Sequence, residues 1–143
     1  MENYQRILVA VDGSDQADRA FQKALELAGK YGAVLGIASV VDLRSFSPNI
    51  SYDGSLEERA KEKARSRVAG YRDRAEAAGV KEIVTYVESG NPKTILAKEI
   101  PEEFDADLIV AGATGLNKVE KIVLGSISTY ILAHSGVDTL IAR

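Results

Sequence analysis

The chain predicts an α/β fold, a single open parallel sheet with helices on both faces. Three observations carry that prediction. Short continuous apolar runs alternate with longer stretches whose apolar residues recur at helical spacing, giving β-α-β-α-β-α-β-α-β. The short runs lack polar alternation, as strands buried on both faces require. No repeat, low-complexity segment or linker divides the 143 residues, so 1–143 reads as one domain, long enough to bury a sizeable core.

The elements follow in order. Residues 7–11 form the first apolar run, Ile-Leu-Val-Ala-Val. Over 15–31, Ala17, Ala20, Phe21, Ala24, Leu25 and Ala28 share one helical face, and Ser14 or Asp15 can cap the start. Residues 34–41 are the second strand. The polar segment 42–54, with Pro48 and Gly54, reads as a mobile loop. Ser55-Leu-Glu-Glu58 has capping-box spacing and opens a helix to about residue 78, with Leu56, Ala60, Ala64, Val68, Ala75 and Ala78 as its inner stripe. Residues 82–87 are the third strand. Asn91 caps the next helix, Pro92 takes its first position, and Ile95, Leu96 and Ile100 face inward. The strand-like stretch 106–111 holds the fourth strand at 108–111, residues 125–134 read as the last helix, and Val137 to Ala142 is the fifth strand.

Composition narrows the function classes. A chain that is 45% apolar and 27% charged has the balance of a soluble globular protein, and its net charge of −3 gives no reason to expect nucleic acid as a partner. Without cysteine there is no disulfide framework, no thiolate nucleophile and no Cys-based metal site. The first six residues lead into a strand without a signal-peptide apolar region, and no apolar run approaches membrane-spanning length. A cytoplasmic protein without membrane association is expected.

The chemistry concentrates in one spacing. Gly112-Ala-Thr-Gly115 ends the fourth strand, and nine residues later Gly125-Ser126-Ile127-Ser128 opens the last helix. Glycines between a strand and a helix start let a ligand approach backbone N–H groups, and a helix N-terminus favours an anion. Ser126 and Ser128 add hydroxyls there. A P-loop needs Gly at 117 and Ser or Thr at 119, where the chain has Asn117 and Val119. The G-x-G-x-x-G dinucleotide fingerprint is missing as well.

The spacing G-x2-G-x9-G-S resembles the nucleotide-binding loop of the universal stress protein family, in its ATP-binding subgroup. The opening Ile7-Leu-Val-Ala-Val-Asp12-Gly-Ser14 resembles that family's first strand and turn. Ser39-Val-Val-Asp42 resembles its second strand end, Gly90-Asn-Pro92 with Ile95 its third strand-to-helix turn, and Val137-Asp-Thr-Leu-Ile-Ala142 its last strand. The resemblance spans the chain and implies the sheet order 3-2-1-4-5. It places a topological switch point between strands one and four, where ligands of open α/β sheets bind.

Site roles carry over position by position from the resemblance. Gly112, Ala113, Thr114 and Gly115 would wrap the ribose and leading phosphates. Gly125, Ser126, Ile127 and Ser128 would hold the remaining phosphates. Ala10, Val11, Asp12, Gly13 and Ser14 would form the opposite wall, and Val40 would offer its backbone to the adenine edge. The implied ligand is ATP, or alternatively AMP or ADP, with Mg²⁺ carried on the phosphates. Asp12 is read two ways, as a contact to a ribose hydroxyl or Mg²⁺-bound water, or as a plain helix N-cap. Lys118, Lys121 and the lone His134 are read as surface and helix-end residues.

No Ser-His-Asp set, paired carboxylates, phosphoryl-accepting histidine or Arg beside the glycine loop is legible in the sequence. The leading expectation is therefore a nucleotide-dependent stress-response or signalling protein acting on an unidentified protein partner, with at most weak ATP hydrolysis. A slow ATPase or nucleotidyl- or phosphotransferase, and a dimeric interaction module without nucleotide, stay open as alternatives. The resemblance also implies a homodimer through Val137 to Ala142, an edge strand in the implied order.

Overall fold

The computed structural model of the chain describes residues 3–43, 54–113 and 124–143. Five strands form one parallel sheet: β1 (Arg6–Ala10), β2 (Val34–Asp42), β3 (Ile83–Gly90), β4 (Leu108–Gly112) and β5 (Asp138–Ala142). Their order is β3-β2-β1-β4-β5, as the resemblance implies. Helix α1 (Asp15–Tyr31) joins β1 to β2, α2 (Ser55–Ala77) precedes β3, and α5 (Ser126–His134) precedes β5. Between β3 and β4 lie α3 (Pro92–Thr94), a π-helical turn (Ile95–Glu99) and α4 (Ile100–Phe104).

Alternate residues of the central strands feed two separate cores. Ile7, Val9, Leu35, Ile37 and Val110 pack with Phe21 of α1 and Val68 and Tyr71 of α2. Leu8, Ala38, Ile109 and Ala111 pack on the other face with Leu96, Ile100, Phe104 and Ile131. Burial on both faces explains the unbroken apolar runs. None of the described helices is long and apolar enough to cross a membrane.

Several boundaries differ from the sequence expectation. β1 starts at Arg6 and ends at Ala10, although Val11 still donates its N–H to Ala38 O at 2.8 Å. β3 continues to Gly90, because Ser39 to Asp42 of β2 pair with Val87 to Gly90 beyond the end of β1. The capping-box reading of Ser55 is corrected. Gly54, with φ 82°, is the N-cap of α2, its carbonyl accepts the Glu58 N–H, and Ser55 already stands in the helix. The inner stripe of α2 contains Tyr71, which the sequence reading passed over, while Ala78 lies outside the helix and exposed. The helix after Asn91 widens into a π turn, with Ile100 N–H bonded to Ile95 O. Pro101 is the cause. It has no N–H for Ala97 O, and its ring would press on that carbonyl in a regular α-turn. The loop expected over 42–54 lies, from residue 44 to 53, outside the described residues.

Candidate nucleotide site

The crevice is built at the carboxyl ends of β1 and β4, on either side of which the chain winds in opposite directions. On the β1 side, Ala10 ends the strand and Val11 stays buried. Asp12 then turns the chain: its Oδ1 accepts from Ser14 N–H at 3.0 Å and from Ser14 Oγ at 2.6 Å. Ser14 is the N-cap of α1, its Oγ accepting from Ala17 N–H at 3.1 Å. The N-cap reading of Asp12 is thereby corrected, since Asp12 orients the cap and leaves the capping itself to Ser14. Its Oδ2 receives no hydrogen bond from the described residues. Gly13 between them has φ +85°, a conformation that only glycine adopts without strain.

On the β4 side the chain leaves the strand at Gly112 and returns to it at Gly125. Ala113 N–H donates to Ala142 O at 3.0 Å, and Gly125 N–H donates to Ala113 O at 2.7 Å. These two bonds fix the start of α5 against the end of β4. Ser128 adds a third tie, its buried hydroxyl donating to Gly112 O at 2.5 Å. That proton is committed to Gly112 O in this structure. Gly125 is the N-cap of α5 and supplies no side-chain cap. Nothing among the described residues accepts from the N–H groups of Ser126 and Ile127, which stand at the positive end of the helix. Thr114 and Gly115, with Lys118 and Lys121, lie outside the described residues.

Gly112 has a packing reason beyond the loop. A Cβ there would stand 2.9 Å from the backbone C and O of Gln16, so the glycine lets the first turn of α1 sit against β4. Gln16 Oε1 is buried there without a partner among the described residues.

The side wall comes from the longer strands. The last β1–β2 partners are Ala10 and Ala38, whereas β2 and β3 stay paired to Asp42 and Gly90. Four further residues per strand carry that pair roughly 13 Å beyond the floor. Val40 lies in this extension, half-buried and paired with Glu88. It belongs to the same face of the sheet as Ala10, Ala111 and Ile127 of α5. Strand wall and helix N-terminus therefore share one face of the sheet, and the Asp12–Gly13–Ser14 turn leads from the end of β1 to α1 on the other.

Arg67 is a site neighbour that the sequence reading missed. It stands in the inner stripe of α2, three residues after Ala64 and four before Tyr71, and a cation at a core-facing position was the available signal. Its Nη1 donates to Ser39 Oγ at 3.4 Å, and its guanidinium lies against Gly13. His134 ends α5, exposed, its ring tilted against Tyr130 with centroids 4.2 Å apart.

Two open recesses of about 550 and 490 Å³ lie at the opposite strand edge, among Tyr4, Asp107, Val137 and Asp138 and among Lys98, Glu102, Asp105 and His134. α5 turns its carbonyl end toward that edge, which disfavours phosphate.

Comparison with known proteins agrees with this architecture. The profile of the universal stress protein family matches residues 3–143. The chain belongs to the universal stress protein family. A Staphylococcus aureus (strain USA300) protein that carries the universal stress protein name is 41% identical over 143 residues, covering 100% of this chain and 86% of that relative. Among solved structures, the universal stress protein UspA from Lactobacillus plantarum aligns over 100% of both chains with a TM-score of 0.86 and 29% identity. A universal stress protein solved in complex with cAMP aligns over 99% of this chain and 98% of its own, with a TM-score of 0.72 and 30% identity. In this family member no described group of three or more His, Cys, Asp and Glu side chains could hold a metal ion.

Proposed function

We propose that this family member binds an adenine nucleotide, ATP or AMP, in the crevice between the Asp12–Gly13–Ser14 turn and the start of α5, and that occupancy alters a surface read by a protein partner in a stress response. One observation carries the reading: the 2.7 Å bond from Gly125 N–H to Ala113 O sets an uncapped helix N-terminus beside the end of β4, at the switch point of the sheet. The cAMP complex of a relative supports an adenine ligand. Ser126 and Ile127 would donate backbone N–H groups to phosphate, Val40 would meet the base, and Asp12 Oδ2 would accept from a ribose hydroxyl or Mg²⁺-bound water. Mg²⁺, when bound, neutralises phosphate charge and would arrive on the nucleotide. The same proposal places a single-domain protein in the cytoplasm as a homodimer, paired through the outer edge of β5.

The test is to identify what the purified protein carries and binds. Native mass spectrometry, followed by heat release and chromatography, is expected to show an adenine nucleotide. Calorimetry with ATP, AMP and cAMP then ranks the ligands. Absence of a bound nucleotide, together with no heat at millimolar concentrations of any of the three, overturns the proposal.

A further inference from the structure

We propose that Arg67 is a positioning residue of this crevice, holding the β1–α1 turn at Gly13 against the wall formed by β2; the role in ligand binding rests on the nucleotide reading above. A Cβ placed on Gly13 would stand 2.9 Å from Arg67 Nε and 3.4 Å from both Cζ and Nη2. The guanidinium therefore packs directly on the turn, on the side of the sheet occupied by α1 and α2. Its Nη1 reaches Ser39 Oγ at 3.4 Å, and Ser39 is 2% exposed. Ser39 directly precedes Val40, and Gly13 directly follows Asp12. One planar group thus spans from the turn that orients Asp12 to the strand that carries the adenine wall.

The surroundings argue for a fitted role. Arg67 is half-buried in the inner stripe of α2, where Ala64, Val68, Tyr71 and Ala75 are buried. An apolar side chain would fill such a position without the cost of desolvating a charge. Among the described residues Arg67 has no carboxylate within ion-pair distance, and Ser39 is its one hydrogen-bond partner. Ion pairing with a described residue does not account for Arg67. Its rigid, flat fork against Gly13 does, since Lys has neither the plane nor the separated donors.

The experiment compares the wild-type chain with Arg67→Met and Arg67→Lys. Calorimetry reads the affinity for ATP and for adenosine, and hydrogen exchange on ligand-free protein reads the Ser14 amide, which donates to Asp12 Oδ1. The Val9 amide, in β1, reports general stability. Both variants are expected to weaken ATP and adenosine alike by about tenfold, the order of one lost hydrogen bond. Ser14 exchange should accelerate while Val9 exchange stays unchanged. Wild-type affinity with wild-type Ser14 protection in Arg67→Met overturns the proposal. So does full affinity in Arg67→Lys beside an ATP-only loss in Arg67→Met, which would make the role one of charge. Acceleration at Val9 equal to that at Ser14 overturns it too, by showing a role confined to general stability. If the wild type binds neither ligand while Ser14 exchange still responds to Arg67→Met, the nucleotide reading fails and the brace stands.

Discussion

Replacing Ser126 by Asp separates phosphate binding from helix stability, because the two respond to a negative charge with opposite sign. Ser126 is exposed, occupies the first turn of α5, and stands where no side chain caps the helix. A carboxylate there complements the helix dipole by about 0.3–1 kcal/mol. For a domain of this size that raises Tm by roughly 1–3 °C. The same carboxylate stands where a phosphate oxygen would accept the Ser126 and Ile127 N–H groups. Two like charges about 4 Å apart repel by ~1 kcal/mol in water-like surroundings and ~4 kcal/mol near a protein surface. A loss of ATP affinity between about 5-fold and 10³-fold follows. Adenosine, without phosphate, should bind Ser126→Asp as it binds the wild type. Calorimetry with both ligands and a thermal melt decide the matter together. If ATP affinity holds while Tm rises, the phosphate is not at this helix end, and the site assignment is wrong even if nucleotide binds elsewhere.

Gly112→Ala should lower stability by about 1–3 kcal/mol in denaturant titration, because its Cβ meets the Gln16 backbone at 2.9 Å; an unchanged midpoint would show that α1 shifts freely. Ala142 O accepts from Ala113 N–H, so by strand alternation the N–H of Ile141 points away from β4. Ile141→Pro then removes an outer-edge donor while sparing the β4 ladder, and sedimentation should show dimer becoming monomer with the fold retained; a wild-type monomer at micromolar concentration refutes the edge-pairing proposal. The Asp18 carboxyl is held below its ordinary range chiefly by the hydrogen bond from Arg74, at 2.6 Å. With the folded value depressed, this contribution is present above about pH 4 and is lost as pH falls through the folded value. Asp18→Asn should therefore flatten the acid limb of stability below pH 4, and an unchanged limb would show the exposed pair to be without effect.

The fold was legible because its central strands are buried on both faces, so Ile7 to Val11 and Leu108 to Ala111 show an apolar continuity that half-exposed strands lack. The strand order was not readable from periodicity and came through the family resemblance. The glycine spacing pointed to the carboxyl ends of β1 and β4, but it could not tell which hydroxyls are bonded within the protein. The Ser128 hydroxyl donates to Gly112 O, a bond that no local pattern announces. Likewise the identity of Gly112 reflects Gln16 across the sheet, a contact between residues 96 positions apart that no local pattern reports. Pro101 was visible in the sequence, yet its effect appears in the preceding turn, where Ile100 bonds back to Ile95. Arg67 was hidden by composition: among many charges of α2 it reads as solvated surface until its helical phase is compared with Ala64 and Tyr71.

The bond between Ala113 and Gly125 has a consequence for how this chain can vary. It brings the two ends of the connection between β4 and α5 together at a distance that does not depend on how many residues lie between them. The sheet and helix are closed below that point by Ser128 and Ala142, so an insertion or exchange there need not be transmitted into either core. Doubling the length of such a connection costs only about 0.6 kcal/mol in closure entropy. A change of length between Ala113 and Gly125 can therefore be absorbed while the frame of β4, β5 and α5 keeps its register.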